Sequence, residues 1–283
     1  MLMFKRVLVA LDFSGPAMEL FSSVPDLKKL GLEELLLVHV VRVELGAQDG
    51  ISPVQLKFLD KVKKKKTELE SEGFQVEIEV PVGAAAEEIK RLAEKRSVDL
   101  ILIGSIGESS RVRELFLGST VADVIRIAPV PVLIEKYFTE QKQATRIPIF
   151  KDKLARVLLP TDFSSSAQHV YNEMLGIADK LQKVVLLYVI DKGDTEEKVL
   201  KAKQEARERL AEWENRFLEN NVETEIIIKT GPPAQQIISA SGDSTLIAMA
   251  RRGRGRMTGL LIGSTADQVI RRGNRPVLLF GKK

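Results

Sequence analysis

The nine residues Arg6-Val-Leu-Val-Ala-Leu-Asp12-Phe-Ser14 return 150 positions later as Arg156-Val-Leu-Leu-Pro-Thr-Asp162-Phe-Ser164. In both copies a short apolar run ends in the tripeptide Asp-Phe-Ser. An apolar run of this length is typical of a buried strand, and the polar tripeptide marks its end. The chain therefore contains an internal duplication, which predicts a repeated structural unit.

Three further segments repeat in the same order. Val76 to Gly83 returns as Thr224 to Gly231, Gly118-Ser-Thr returns as Gly263-Ser-Thr, and Pro131-Val-Leu returns as Pro276-Val-Leu. The repeats predict two domains, residues 1–137 and 154–283, which we call repeat 1 and repeat 2. The segment between them, 138–153, is polar, contains Pro148 and has no sustained periodicity, so we interpret it as a linker.

Within each repeat, short apolar runs alternate with helical patterns. The runs of repeat 2 are 157–160, 184–190, 225–229, 245–250 and 276–280. They are continuous rather than alternating, as in strands that are covered on both faces. Between them, one apolar stripe with helical spacing runs through Val199, Ala206, Leu210, Trp213 and Phe217, and repeat 1 has Leu56, Leu59, Val62 and Leu69 in the equivalent place. This alternation predicts a parallel, doubly wound α/β sheet in each domain.

The composition excludes several classes of protein. The chain has 283 residues, 44% hydrophobic and 29% charged, which is ordinary for a globular protein. It has no cysteine and two histidines, which excludes disulfides, thiolate metal sites and a cysteine nucleophile. The net charge of +4 is no argument for nucleic acid. Because no apolar stretch is long enough for a signal peptide or a membrane span, we expect a cytoplasmic protein with no membrane partner.

Doubly wound sheets bind ligands beyond the carboxyl ends of their strands, where the strand order reverses. In this chain two loops would meet there. One loop follows strand 1 and holds Asp12 or Asp162, and the other follows strand 4 and holds glycines. These two loops are therefore predicted to carry the function.

The glycine loops suit a phosphate group. In repeat 2, Ala250-Arg-Arg-Gly253 is followed after nine residues by Gly263-Ser-Thr265, which opens a helix. Glycines allow close backbone approach, and a helix N-terminus favours an anion. We expect Ser264 to cap this helix together with Asp267. Repeat 1 has Gly104-Ser-Ile-Gly107, ten intervening residues that include Glu108, and Gly118-Ser-Thr120.

With these motifs the chain resembles the universal stress protein family in its tandem form. The resemblance rests on the strand end Pro160-Thr-Asp162 and on the loop pattern G-x-x-G-x9-G-[S/T], and it covers nearly the whole chain twice. It implies a five-stranded parallel sheet of order 3-2-1-4-5 in each half. It also implies binding of ATP or AMP, with or without Mg²⁺, since many members bind these nucleotides.

The resemblance assigns site residues position by position. The aspartates Asp162 and Asp12 would face the adenine and ribose, Val189 and Val40 would line the adenine pocket, and the glycines with the following Ser and Thr would hold phosphates. The set for repeat 2 is Pro160, Thr161, Asp162, Val189, Met249, Ala250, Arg252, Gly253, Gly263, Ser264 and Thr265. The set for repeat 1 is Asp12, Val40, Gly104, Gly107, Gly118, Ser119 and Thr120.

Both halves depart from the family pattern. Repeat 2 has Ala250 at the first glycine. Repeat 1 has one extra residue before Gly118, and Glu108 would repel a phosphate. We therefore expect repeat 2 to be the better nucleotide site.

Other interpretations of the same residues remain open. Asp12 and Asp162 could simply cap the following helix. The run Arg251 to Arg256 resembles an RNA-binding arginine–glycine segment, but it is short and has no interleaved aromatic residues. His39 lies in an apolar strand and is predicted to be a hydrogen-bonded structural histidine, and Trp213 is predicted to belong to the core.

The pattern favours a regulatory protein that is not an enzyme, because no nucleophile–base pair and no P-loop lysine are visible. We expect ATP or AMP to change a surface offered to a protein partner. The alternatives are a nucleotide-independent scaffold of the same fold and a flavin-type relative. The resemblance also implies a pseudo-dimer of the two repeats through their last strands and a homodimer of chains.

Overall fold

The protein is described by a computed structural model that covers residues 4–12, 15–41, 53–107, 118–138, 152–191, 195–253 and 262–281. The chain divides into two compact units. The main stretches of one are 3–109 and 117–149, and the main stretch of the other is 150–283. Because 139–151 lies outside the described residues, the linker 138–153 and the domain limits at 137 and 154 stay predictions.

The N-terminal unit alternates strands and helices throughout. Its strands are β1 (Arg6–Ala10), β2 (Glu34–Val38), β3 (Gln75–Glu79), β4 (Leu100–Gly107) and β5 (Val132–Phe138). Its helices are α1 (Val24–Lys29), α2 (Pro53–Ser71), α3 (Ala85–Lys95) and α4 (Ser119–Ile127), with a 3-10 helix over Gly15–Ser23. All pairings are parallel and give the order β3-β2-β1-β4-β5, which confirms the predicted sheet order.

The C-terminal unit has the same plan. Its strands are β6 (Arg156–Thr161), β7 (Lys183–Ile190), β8 (Glu223–Thr230), β9 (Leu246–Ala250) and β10 (Val277–Phe280). Its helices are α5 (Ser165–Leu175), α6 (Glu196–Leu218), α7 (Pro233–Ala240) and α8 (Ser264–Arg272), with a 3-10 turn over Ala178–Lys180. The order is β8-β7-β6-β9-β10, again all parallel.

The core of each unit lies on both faces of its sheet. The middle strands β1 and β6 are covered on both faces, so residues such as Val7 and Leu158 are fully buried. The predicted stripe of α6 packs as expected, with Leu210 and Phe217 fully buried and Trp213 7% exposed. The equivalent prediction for α2 was wrong at its first residue. Leu56 is 52% exposed and Phe58 is buried instead.

The order of the strands decides where a ligand can bind. In each unit the first strand lies between the second and the fourth. The second and third strands lie to one side of it, and the fourth and fifth strands lie to the other side, so the strand order reverses next to the first strand. A crevice opens at the carboxyl ends of such a pair. In the C-terminal unit these ends are Thr161 of β6 and Ala250 of β9.

Candidate functional site

A cavity of about 370 Å³ lies at the carboxyl ends of β6, β7 and β9 in the C-terminal unit. Its volume is in the range of small-molecule sites. The lining residues come from the strand ends, from the segments that follow β6 and β9, and from the N-terminal parts of α5, α7 and α8. They are Pro160, Thr161, Asp162, Ala167, Leu187, Val189, Pro233, Ile237, Met249, Ala250, Arg251, Arg252, Gly253, Ile262, Gly263, Ser264, Thr265 and Ala266. The whole set predicted for repeat 2 is thus brought together around one cavity. Whether that set binds nucleotide stays a prediction.

Sequence reasoning missed part of this wall. Apart from Arg251, the additional lining residues are apolar, and they are Ala167, Leu187, Pro233, Ile237, Ile262 and Ala266. For one of these residues, Leu187, the sequence did contain a signal. Alternate residues of a strand share a face, so Leu187 follows from Val189. Pro233 and Ile237 begin a helix after the predicted third strand, and only the folded sheet shows that this helix covers the cavity.

The turn after β6 sets the position of Asp162. The backbone N–H of Phe163 donates to Thr161 Oγ1 at 2.9 Å, and the N–H of Ser164 donates to Asp162 Oδ1 at 2.9 Å. Ser164, not Asp162, caps α5, because its Oγ accepts from the N–H of Ala167 at 3.2 Å. The simple capping role considered for Asp162 is therefore wrong, and this carboxylate lines the cavity instead.

Phe163 completes the turn in a left-handed conformation with φ of 56°. For a bulky L-residue this conformation costs about 1–2 kcal/mol. Such a cost persists only where the surroundings hold the residue firmly, and held conformations cluster at functional sites. At this turn the surroundings are the two hydrogen bonds described above and the rings of Tyr188 and Trp213, which pack on Phe163.

Gly253 and Asp162 approach each other closely. A Cβ added to Gly253 would lie 2.2 Å from Asp162 Oδ2 and 3.2 Å from its Cγ. No side chain larger than hydrogen fits there unless the carboxylate moves. A larger residue at 253 would therefore displace the Asp162 carboxylate, and the close approach brings the two predicted loops into contact.

The first turn of α8 closes the cavity. Gly263 is the N-cap residue and no side chain caps the helix, so the prediction that Ser264 caps it was wrong. Ser264 is the first helical residue and is exposed, and Asp267 pairs with Arg271 at 2.9 Å instead of joining a capping box. The N–H of Gly263 donates to the carbonyl of Arg251 at 2.8 Å, which ties the helix start to the end of β9. An uncapped first turn favours an anion.

Comparison with known proteins identifies the family. A model of the "Universal stress protein family" matches residues 3–136 and again 153–281. The chain belongs to the universal stress protein family. It is 33% identical over 156 residues to universal stress protein MJ0577 of Methanocaldococcus jannaschii, a match that covers 47% of this chain and 96% of that one.

Two longer matches extend over more of this universal stress protein. It is 25% identical over 219 residues to a universal stress protein of Mycolicibacterium smegmatis, covering 74% of this chain and 70% of the relative. The crystal structure of a universal stress protein from Archaeoglobus fulgidus has a TM-score of 0.71 and 24% identity, and it covers 100% of this chain and 98% of the other. The last likeness shows the fold.

Two arginines give the cavity of this universal stress protein a positive side. Burial, and then the neighbouring charge of Arg252, lower the pKa of Arg251 below its usual range. The guanidinium lies beside Gly281, where a Cβ would come within 3.3 Å of Nη2. Among the described residues that line the cavity, Asp162 is the one carboxylate. An anionic ligand would relieve the repulsion between the two arginines.

The set predicted for repeat 1 is less completely described. Asp12 is exposed, Val40 is half-buried, and Gly104 and Gly107 lie on β4. Gly118 is the N-cap of α4, again without a side-chain cap, and Ser119 begins that helix. The loop 108–117, with Glu108, lies outside the described residues. Thr120 lines a different cavity, of about 590 Å³, between the first turn of α3 and α4, and neither Asp12 nor Val40 lines that one.

His39 has the structural role predicted for it. Its Nδ1 lies 2.9 Å from the carbonyl oxygen of Leu11, and its ring packs 6.1 Å from that of Phe58. Burial lowers the pKa of His39, and the bond to Leu11 and the charge of Asp12 oppose this effect.

Two features of the described part of the chain bear on other classes of function. No group of three or more histidine, cysteine, aspartate or glutamate side chains that could hold a metal occurs within the described ranges. None of the helices in the described part of the chain is long and apolar enough to cross a membrane.

Proposed function

We propose that this protein binds an adenine nucleotide, ATP or AMP, in the cavity of repeat 2. The observation that carries the proposal is the convergence of Asp162, Gly253, the uncapped start of α8 and two arginines on one cavity. The apolar wall, which includes Val189 and Leu187, suits a base. The glycines and arginines suit phosphates.

The proposed role is regulatory binding without catalysis. Asp162 is the one carboxylate among the described lining residues, and one of its oxygens already accepts from the N–H of Ser164. Histidine and lysine are absent from the described lining, so no pair of groups is placed there for general acid–base chemistry. Bound nucleotide would change the surface that the loop after β9 and the start of α8 offer to a protein partner, as a shift between two states. A cytoplasmic location and a homodimer stay predictions.

A titration of the nucleotide-stripped full chain tests the proposal. Calorimetry with ATP and with AMP, each with and without Mg²⁺, is expected to show one site per chain. Asp162→Asn removes the charge but keeps an oxygen that can accept from the N–H of Ser164, so it weakens binding while the turn stays folded. Asp12→Asn is the matched control in repeat 1 and is expected to leave the affinity unchanged.

A second readout is available because Trp213 is the single tryptophan of the chain. Its ring lies 5.7 Å from that of Phe163, next to Asp162, so its fluorescence should respond to ligand. If neither heat nor fluorescence changes at millimolar nucleotide, the proposal is wrong and the nucleotide-independent scaffold takes its place. Loss of binding in Asp12→Asn alone would move the site to repeat 1.

A further inference from the structure

Phe163, which is half-buried, contacts three side chains on the face of the sheet that α6 covers. Its ring stacks on Tyr188 of β7 at 5.1 Å and meets the edge of Trp213 of α6 at 5.7 Å. The guanidinium carbon of Arg209, also on α6, lies 3.9 Å from the ring centroid. An arginine at this distance is attracted by the electrons of the ring. We call Phe163, Tyr188, Trp213 and Arg209 the Phe163 clamp.

The clamp holds a residue whose backbone conformation is unfavourable. Phe163 is left-handed at φ 56°, a conformation that phenylalanine rarely adopts without strong support. Its two neighbours, Asp162 and Ser164, are joined by the bond from Ser164 N–H to Asp162 Oδ1. If Phe163 relaxed toward negative φ, this bond would break and the direction of the Asp162 side chain would change.

The clamp and the cavity meet at this turn. Leu187 and Val189 of β7 line the cavity, whereas Tyr188 between them stacks on Phe163. Alternate residues of a strand point to opposite faces, so the clamp reaches the turn from the side away from the ligand. None of its four residues is among those that line the cavity.

We propose that Arg209 is a positioning residue for Asp162, acting through the ring of Phe163. This inference rests on the proposed nucleotide site. Arg209 holds the Phe163 ring, the ring fixes the left-handed turn, and the turn directs the Asp162 carboxylate into the cavity. The long helix α6 thereby influences ligand affinity without contacting the ligand.

Repeat 1 provides an internal comparison. The positions that correspond to Trp213 and Tyr188, offset by 148 and 149 residues, hold Lys65 and His39. Lys65 lies over the ring of Phe21 at 5.8 Å, and His39 bonds the carbonyl of Leu11. The two aromatic members of the clamp that flank Phe163 are thus specific to repeat 2, the half in which the described residues form the cavity.

The test compares three variants of the full chain. Arg209→Met removes the cation but keeps the length of the side chain, and Arg209→Lys restores a cation. Arg207→Met removes the same charge from an exposed position on another side of α6. We expect Arg209→Met to weaken ATP binding by about 2- to 5-fold, the range that an exposed cation–π contact supports. Arg209→Lys should recover most of the affinity, and Arg207→Met should leave it unchanged.

Two further measurements separate positioning from a general effect on stability. In an Asp162→Asn background, Arg209→Met should have a much smaller effect on ATP affinity, because the group it positions has lost its charge. Hydrogen exchange of the Ser164 amide, measured without ligand, should speed up by the same 2- to 5-fold in Arg209→Met, while amides of β6 keep their protection.

The outcomes are distinguishable. If the wild type binds ATP and Arg209→Met binds it equally well, or if Arg207→Met is equally impaired, the positioning role is wrong. If the wild type binds neither ATP nor AMP, the proposed function fails. The exchange of the Ser164 amide then still decides whether Arg209 holds the turn, and an unchanged rate would overturn that role independently.

Discussion

Replacement of Gly253 by alanine tests the contact between the two loops of the site. The added methyl carbon would lie 2.2 Å from Asp162 Oδ2 and 3.2 Å from Asp162 Cγ. Non-bonded heavy atoms settle at about 3.5 Å, so one partner must move by about 1 Å. The carboxylate cannot swing aside freely, because its other oxygen is held by the N–H of Ser164. The change therefore acts on Asp162 itself.

The expected size follows from the cost of overpacking. An extra methyl group forced into a tight contact costs about 1–3 kcal/mol. If the strain is relieved by turning Asp162 away, and binding must turn it back, ATP affinity falls by about 5- to 160-fold, since 1.4 kcal/mol corresponds to a factor of ten. If the strain is retained, the free energy of unfolding falls by the same amount. Calorimetric titration and urea unfolding of the same sample measure both quantities.

The other glycine of the loop is the matched control. A Cβ on Gly263 would meet its nearest neighbour, the carbonyl oxygen of Arg251, at 3.4 Å. This is close to an ordinary contact, so Gly263→Ala should change stability far less than Gly253→Ala. Asp162→Ala removes the obstructing carboxylate, and in that background Gly253→Ala should cost almost nothing in stability. If the two single changes were additive instead, the steric explanation would be refuted.

Three further perturbations have definite expected results. Burial lowers the pKa of His39 below 6.5, so the unfolded chain binds more protons than the folded one. The contribution of His39 to stability is therefore full above about pH 6.5 and falls as the pH drops toward the folded pKa, by at most about 1.4 kcal/mol per pH unit. In urea unfolding, the free energy of unfolding of His39→Gln should fall less steeply at acid pH than that of the wild type, and an equal fall would contradict this. Thr161→Val leaves the N–H of Phe163 without its 2.9 Å acceptor and should lower the free energy of unfolding by about 1–3 kcal/mol, whereas Thr161→Ser should not. Arg252→Gln should weaken ATP binding more than AMP binding, with a smaller difference at high salt; equal losses for both nucleotides would place the arginine away from the outer phosphates.

Much of the fold could be predicted because the signals were local and occurred twice. Continuous apolar runs predicted the strands of repeat 2, and β6 to β10 lie within a few residues of them. The doubly wound topology then placed the Asp162 turn beside the glycine loop without any side-chain information. Duplication made this inference stronger than either half alone would allow.

What could not be predicted depends on contacts between distant parts of the chain. The sequence favoured Ser264 as a helix cap, but the bond from Gly263 N–H to the carbonyl of Arg251 starts the helix one residue earlier. The apolar stripe of α2 was placed on Leu56, yet the sheet covers Phe58. Nothing in a linear pattern indicated that Arg209 would lie over Phe163, since the two residues are far apart in sequence and meet only through the crossover helix.

The two ends of each sheet have diverged in different ways. At the amino ends, Arg6 pairs with Glu34 on the neighbouring strand, with Nε to Oε2 at 2.6 Å. In repeat 2 the position of Glu34 is taken by Lys183, which pairs with Glu223 at 2.6 Å on the next strand. The second strand thus carries a glutamate in repeat 1, paired with an arginine of the first strand, and a lysine in repeat 2, paired with a glutamate of the third strand. Either arrangement of paired charges serves at the amino ends of the strands, because partly exposed ion pairs contribute only about 0–1 kcal/mol each to stability.

At the carboxyl ends of the strands the two repeats have kept the same residues. Asp-Phe-Ser follows the first strand in both repeats, and Gly-Ser-Thr lies at the start of the last helix in both. Local structure explains part of this retention, because Asp162 accepts from the N–H of Ser164, and Ser164 caps α5. It does not explain Ser264, which is exposed and does not cap α8. Ligand binding does require a particular group at a particular place. The retained Gly-Ser-Thr segment, whose serine does not cap α8, therefore supports the proposed ligand at the carboxyl ends more than a scaffold that needs only the fold.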